Sequence, residues 1–359
     1  MTTGVVLLNF GEPSEPDREA VVDYLERIFL ANADLEEYDS EAAARERSRK
    51  LARRRAPGLL EEYEAIGGSP LNEQARAQTE ALEARLQDRG FDVRTYLGMQ
   101  YTEPFIGDAA AAAREDGVDR VIGLPIYPLC GPSTTVISLD ELEAEIEGMD
   151  WDVPTQAITG WHKHPAYNHI RADNVADFAA AEGVDLHDDG TAVVFSAHGT
   201  PTHYLEEGSR YDIYVDEFTS VMASLLGIEE YHVGFQNHAN RDIEWTEPEV
   251  EDLIGELDAD RILVEPVSFL HEQSETLSEL DVELREEAEA AGIDLHRVPI
   301  PHDDDRVPEL FADLVEPFLA DFDPAYYQYR QCKCRNVPGT MCLNAPQTTP
   351  HAGDLAADD

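Results

Sequence analysis

The chain has 359 residues, 42% of them hydrophobic, enough to bury a substantial core in two or three compact units. With 75 acidic against 26 basic side chains its net charge is −49, which excludes a nucleic-acid partner: a phosphate backbone needs clustered Lys and Arg, and only Arg45 to Arg55 is locally basic. It has no apolar run of about 18 residues, and the start MTTGVVLLNF lacks the basic flank of a secretory signal, so a cytoplasmic protein without a transmembrane segment is expected.

Gly4 to Asn9 reads as a buried strand, followed by the turn Gly11-Glu12-Pro13 and a helix from Asp17 to Leu30, the opening of a doubly wound α/β unit. Residues Ala31 to Arg55 are charged and helical, an excursion from the sheet. The glycine pair in Gly67-Gly68-Ser69-Pro70-Leu71 leads into a helix over Asn72 to Asp88, as a turn offering backbone N–H groups to an anion or as a plain helix start. Strands then alternate with helices: strand Val93 to Tyr101, helix Pro104 to Asp116, strand Arg120 to Tyr127, helix Ser138 to Gly148 and strand Trp151 to Ile158. After a connector the plan repeats, with helix Ala166 to Glu182, strand Ala192 to Ala197, helix Ile213 to Leu226, strand Tyr231 to Gln236 and helix Pro248 to Leu257. Strand Arg261 to Phe269, helix Glu275 to Ala291, strand Asp294 to Val298 and helix Arg306 to Leu319 complete it. The expected fold is α/β, two Rossmann-like lobes each built on a four-stranded parallel sheet flanked by helices, with a cleft between them. The lobes span 1–160 and 161–325, followed by a cysteine-bearing extension over 326–346 and a disordered tail over 347–359.

Two stretches carry chemistry. His198 in Ser196-Ala197-His198-Gly199 ends a buried strand, where its near-neutral titration suits proton transfer. Glu275, Glu279 and Glu283 follow another buried strand at a spacing of four, which predicts one helical face with carboxylates roughly 6 Å apart, a line that a divalent cation would relieve. The strand ending Phe235-Gln236 points at the same cleft, so three strand ends converge.

SAHG at 196–199, GGSPL at 67–71, LPIYP at 124–128 with Ser133-Thr134-Thr135 after it, FQ at 235–236 with Trp245 and Pro248, and SETLSELDVE at 274–283 together resemble ferrochelatase, in order from Val5 to about Leu319. The resemblance implies a class I enzyme of heme biosynthesis that inserts ferrous iron, its substrate metal, into a porphyrin, protoporphyrin IX in the first instance. It implies that His198 and Glu275 are the catalytic pair, and that metal is handled by these two with Glu279 and Glu283. It implies porphyrin contacts at Phe10, Tyr127, Ser133, Thr134, Gln236 and Trp245, and transient contact with neighbouring enzymes of heme synthesis. The chain departs from the family pattern at Gln273, where a histidine is usual and His271 is displaced by two, at Gln100, where Arg or Lys precedes the aromatic, and at Phe10, where Met or Tyr is found. Coproporphyrin III, with four carboxylates, is the alternative substrate; a heme- or metal-binding protein without turnover is the alternative class.

Cys130, Cys332, Cys334 and Cys342 supply four thiols and none to spare. Their distribution is similar to that of ferrochelatases holding a [2Fe-2S] cluster, although the spacing differs; zinc or free thiols are the alternatives. The acid surplus, spread over every helix, resembles the halophilic surface of proteins that work in molar salt, where the Debye length falls to roughly 3 Å.

Overall fold

The computed structural model describes residues 1–14, 16–238 and 241–319, together with the backbone of Thr340–Cys342. The apolar runs form strands β1 (Thr3–Asn9), β2 (Val93–Met99), β3 (Arg120–Pro125), β4 (Thr155–Thr159), β5 (Thr191–His198), β6 (His232–Gln236), β7 (Arg261–Pro266), β8 (Asp294–Arg297) and β9 (Thr340–Cys342). The helices are α1 (Arg18–Ala31), α2 (Glu41–Ile66), α3 (Leu71–Asp88), α4 (Ile106–Glu115), α5 (Ile137–Gly148), α6 (Pro165–Glu182), α7 (Thr202–Glu206), α8 (Tyr211–Leu226), α9 (Val250–Glu256), α10 (Ser274–Leu277), α11 (Arg285–Ala291) and α12 (Arg306–Leu319).

The strands build two parallel sheets, ordered β2-β1-β3-β4-β9 and β6-β5-β7-β8, as the α/β reading expects. The first sheet exceeds the expected four strands because part of the cysteine-bearing extension returns to it: β9 pairs with β4, Cys342 lying opposite Thr159. Cys332, Cys334 and the expected tail over 347–359 lie outside the described residues.

Each sheet is buried on both faces, which is why its strands read as unbroken apolar runs. On the first sheet Val5, Leu7, Ile122 and Leu124 belong to a cluster that continues through Ile170 and Val175 of α6 and Phe311 and Val315 of α12 to Val193, Phe195 and Leu263 of the second. The alternate residues Val6, Leu8 and Val121 pack on α4 and α5, and Val194, Ile262 and Val264 pack on α9 and α11. The shared cluster fixes the two sheets against each other and so fixes the cleft.

The charged excursion is a helical hairpin. Asp17 caps α1 by accepting from the Glu19 and Ala20 N–H groups at 2.8 and 2.9 Å, and Ser40 caps α2 through the Ala43 N–H at 3.2 Å. Val21, Tyr24, Leu25 and Phe29 of α1 pack on Leu51, Ala52, Ala56, Leu59 and Tyr63 of α2, with Phe10 beside them. The Gly67-Gly68 turn closes α2: Gly67 takes a φ of 76°, and the Gly68 N–H donates to the Tyr63 carbonyl at 2.9 Å. It is a helix stop, the left-handed backbone at Gly67 being what requires glycine.

Candidate active site

Strands β1, β3, β5 and β7 end around one cleft, and α1 and α2 roof it. Phe10, Tyr24, Leu25, Ile28, Phe29 and Leu59 supply apolar wall, and Tyr127, Ser133, Thr134 and Trp245 also line it. Phe10 stands edge-on to Tyr101 at 4.6 Å between ring centroids and to Tyr24 at 6.3 Å. Arg55 and Arg241 also line the cleft, both committed elsewhere: Arg55 to Glu62 at 2.7 Å, Arg241 to the Phe29 carbonyl at 2.7 Å.

At the floor His198 projects from the end of β5. Its own N–H donates to Ser268 Oγ at 2.9 Å, and Ser268 Oγ also pairs with the Tyr211 hydroxyl at 2.8 Å. Ring atom Nδ1 lies 2.6 Å from the Gly199 carbonyl, which can only accept, so Nδ1 carries the proton and Nε2 faces Glu275 Oε1 at 3.3 Å. Gly199 is required here: a Cβ would stand 1.7 Å from Asn237 Oδ1, and its N–H donates to the Gln236 carbonyl at 2.7 Å. Arg171 of α6, fully buried, pins the loop after β7 by donating to Glu265 Oε1 at 2.7 Å and to the Phe269 carbonyl at 2.8 Å.

Glu275 sits on α10, whose start is clamped from the first sheet. Glu12, buried after β1, accepts from the Ser274 N–H at 3.2 Å, the Ser274 hydroxyl at 2.5 Å and the Tyr63 hydroxyl at 3.0 Å. Burial pushes the Glu12 carboxyl up, the hydrogen bonds from Ser274 opposing. Burial would also raise Glu275, but His198 and His238 outweigh it and hold this carboxylate well below its ordinary range. Gln273 donates to Glu275 Oε2 at 2.7 Å.

Beyond α10 the chain does not continue as one α-helix. Residues Glu279–Leu284 form a π-helical stretch, in which the Glu283 N–H reaches back five residues to the Ser278 carbonyl at 3.0 Å. Glu279 lines the cleft and burial raises it to about 7, whereas Glu283, expected as a metal ligand, is exposed and outside the lining. Gln236, expected to touch substrate, is instead buried beneath the site: it accepts from Ser196 Oγ at 2.9 Å and donates to the Glu275 carbonyl at 2.8 Å and to Glu279 Oε2 at 2.9 Å.

Sequence reasoning missed His238. Its Nε2 lies 3.1 Å from Glu275 Oε1 and its Nδ1 lies 3.9 Å from Glu279 Oε1. Burial pulls its pKa down, but Glu275 and Glu279 more than offset that and carry it to about 9. The signal available was a histidine two residues past the end of β6, the third strand pointing at the cleft. His271, the histidine nearest the expected position in sequence, is locked between Asn9 at 3.3 Å and Gln78 at 2.9 Å and held neutral by burial, its pKa falling to about 3. Gln100 is buried and accepts from the Tyr127 hydroxyl at 2.8 Å. Cys130 is buried at the carboxyl edge of the first sheet, two residues from Pro128, whose carbonyl accepts from the His162 N–H at 3.1 Å. Among the described residues no helix is long and apolar enough to cross a membrane.

The arrangement is a histidine–carboxylate cluster at the base of an apolar slot, suited to moving protons and a cation at the face of a flat apolar ligand. A model of the ferrochelatase family matches residues 2–318. The ferrochelatase of Gloeobacter violaceus is 34% identical over 301 residues, covering 81% of this chain and 89% of its own length. That of Geotalea uraniireducens is 32% identical over 303 residues, 82% and 91% of the two chains. Among solved structures, SirB from Bacillus subtilis with Fe3+ superposes with a TM-score of 0.51 at 14% identity over 89% of this chain and 97% of its own, a likeness of fold. With a family model over nearly the whole described chain and relatives aligned along most of it, the chain belongs to the ferrochelatase family.

Proposed function

We propose that protoporphyrin IX enters the cleft between the lobes 1–160 and 161–325, that His198 takes the pyrrole protons and that Glu275 holds the resulting positive charge. As a ferrochelatase the chain is an enzyme that inserts iron into a porphyrin, and the chemistry sets what the site must do: ferrous iron enters as two pyrrole N–H protons leave. The observation that carries the assignment is the His198–Glu275 pair, 3.3 Å apart at the floor of a largely apolar slot. With Nδ1 committed to Gly199, Nε2 is the lone pair available to accept a proton, and the adjacent carboxylate stabilises the imidazolium that forms. Glu279, raised to about 7, receives the proton next.

Protoporphyrin is favoured over coproporphyrin III by charge. Four carboxylates need more cationic anchors than two, and the only Arg or Lys side chains among the described lining residues are Arg55 and Arg241, both already paired. Anaerobic incubation with ferrous iron and each porphyrin, followed by the Soret shift, tests this; faster turnover of coproporphyrin III would overturn it, and turnover of neither would overturn the catalytic reading.

A [2Fe-2S] cluster on Cys130, Cys332, Cys334 and Cys342 fits what is described. β9 brings the Cys342 backbone opposite Thr159, three residues from His162, which is bonded to the loop that carries buried Cys130. Such a cluster would tie the C-terminal segment to the first sheet by metal–thiolate bonds, offsetting the ordering cost of that segment. Protein purified without oxygen should contain iron and acid-labile sulfide and bleach with dithionite; zinc without sulfide, or neither metal, would refute the cluster. The charge of −49 supports a cytoplasm of molar salt as the working environment.

A further inference from the structure

We propose that His238 is a metal-binding residue of the reaction centre, joining His198 and Glu275 in a three-donor site that captures the divalent cation before it passes to the porphyrin. This rests on the reading of the cleft as the iron-insertion site. One ligand atom from each of the three residues lies within 4.8 Å of the other two, and Glu275 Oε1 is 3.1 Å from His238 Nε2 and 3.3 Å from His198 Nε2. Metal–ligand bonds of about 2.1 Å set the edges of a tetrahedron at roughly 3.4 Å, so a cation fits between these donors with small movements of side chains and with release to solvent of the proton that His238 Nε2 directs at Glu275.

The atoms not offered to the metal are held by neighbours. His198 Nδ1 faces the Gly199 carbonyl, Glu275 Oε2 accepts from Gln273, and His238 Nδ1 faces Glu279 at 3.9 Å. Ligand sites are oriented in this way: the far sides of His198 and Glu275 are hydrogen-bonded, and that of His238 is turned toward a carboxylate. The two imidazole rings lie 5.1 Å apart at 64°, and Trp245 stands edge-on to His238 at 6.2 Å. His271 cannot take the part, because both its ring nitrogens are engaged with Asn9 and Gln78.

The competing role for His238 is to balance the charge of Glu275 and Glu279 without touching metal. A glutamine separates the two roles, since its amide can donate to Glu275 yet is a poor ligand. The full-length protein is titrated with Co2+ in the absence of porphyrin, read by visible absorption, and assayed for ferrous-iron insertion; porphyrin binding by fluorescence quenching serves as the folding control. Expected are losses of at least about tenfold in Co2+ affinity, and a comparable rise in KM for iron, in both His238→Ala and His238→Gln, with porphyrin affinity unchanged. Gln273 already lies 2.7 Å from Glu275, so adding Gln273→His to His238→Ala returns an imidazole to the cluster and should recover much of the Co2+ affinity. Unchanged Co2+ affinity in both single variants overturns the proposal, as does a normal site in His238→Gln beside a defective one in His238→Ala. If the parent inserts iron into neither porphyrin while Co2+ binding still depends on His238, the metal site stands and the catalytic reading fails.

Discussion

Glu12 joins the loop after β1 to the first residue of α10, and replacing it should move Glu275 without touching it. In Glu12→Ala the Tyr63 hydroxyl, on a side chain that is 1% exposed, and the Ser274 hydroxyl, on one that is 6% exposed, both lose their acceptor. A buried polar group left without a partner costs about 1–3 kcal/mol, so the pair costs about 2–6 kcal/mol of folding stability. Glu12→Gln should behave differently. Burial favours the protonated carboxyl at this position, and an amide has nearly the same shape, still accepts from Ser274 and can meet Tyr63 through its NH2, so a loss of about 1 kcal/mol or less is expected. Denaturant unfolding gives the stabilities, and steady-state iron insertion gives the activity. The alanine variant should also lose kcat more than porphyrin affinity, because the start of α10 is released while the apolar walls remain. An alanine variant within about 1 kcal/mol of the parent, or a glutamine variant as damaged as the alanine one, would refute the reasoning.

His198→Ala should lower iron insertion by about 100-fold or more while porphyrin still binds, as loss of a general base does; retained turnover in purified protein would count against its role. Glu283→Gln, an exposed change outside the cleft lining, should leave activity within about twofold, and a loss equal to that of Glu275→Gln would show that the path runs through it. His271 is neutral when folded down to about pH 3, whereas the unfolded chain protonates it near 6.5, so between these values the unfolded state binds the extra proton and stability falls as pH falls. His271→Gln should remove up to about 1.4 kcal/mol per pH unit from that acid slope, and parallel acid-unfolding curves for the two proteins would contradict it. Raising KCl from about 0.2 M to about 2 M should raise Tm, since a Debye length of about 3 Å removes most repulsion within a chain of charge −49; a flat or falling Tm would argue that the acid surplus is not a salt adaptation.

Local patterns were enough to determine the two parallel sheets and their flanking helices. A strand buried on both faces needs an unbroken apolar run, and a helix between strands needs its own period, so β1, β3, β5 and β7 could be read before any contact was known. The positions of His198 and Glu275 followed from those strands, because the chain after a parallel strand emerges at the sheet's carboxyl edge. What tertiary structure decided is which other side chains arrive there. Glu279 lines the cleft while Glu283, four residues on, is exposed outside it, a difference that depends on what packs around the helix and not on the spacing of four. Gln236 fell below the site because its amide meets Ser196, Glu275 and Glu279 at once, bonds that exist only when β5, β6 and α10 are assembled. The fifth strand of the first sheet pairs residues 157–159 with 340–342, and Glu12 meets Ser274 across 262 positions of chain. His238 joined the cluster in the same way: its place two residues past β6 was legible, but its partners, Glu275 and Glu279, come from a different strand's end.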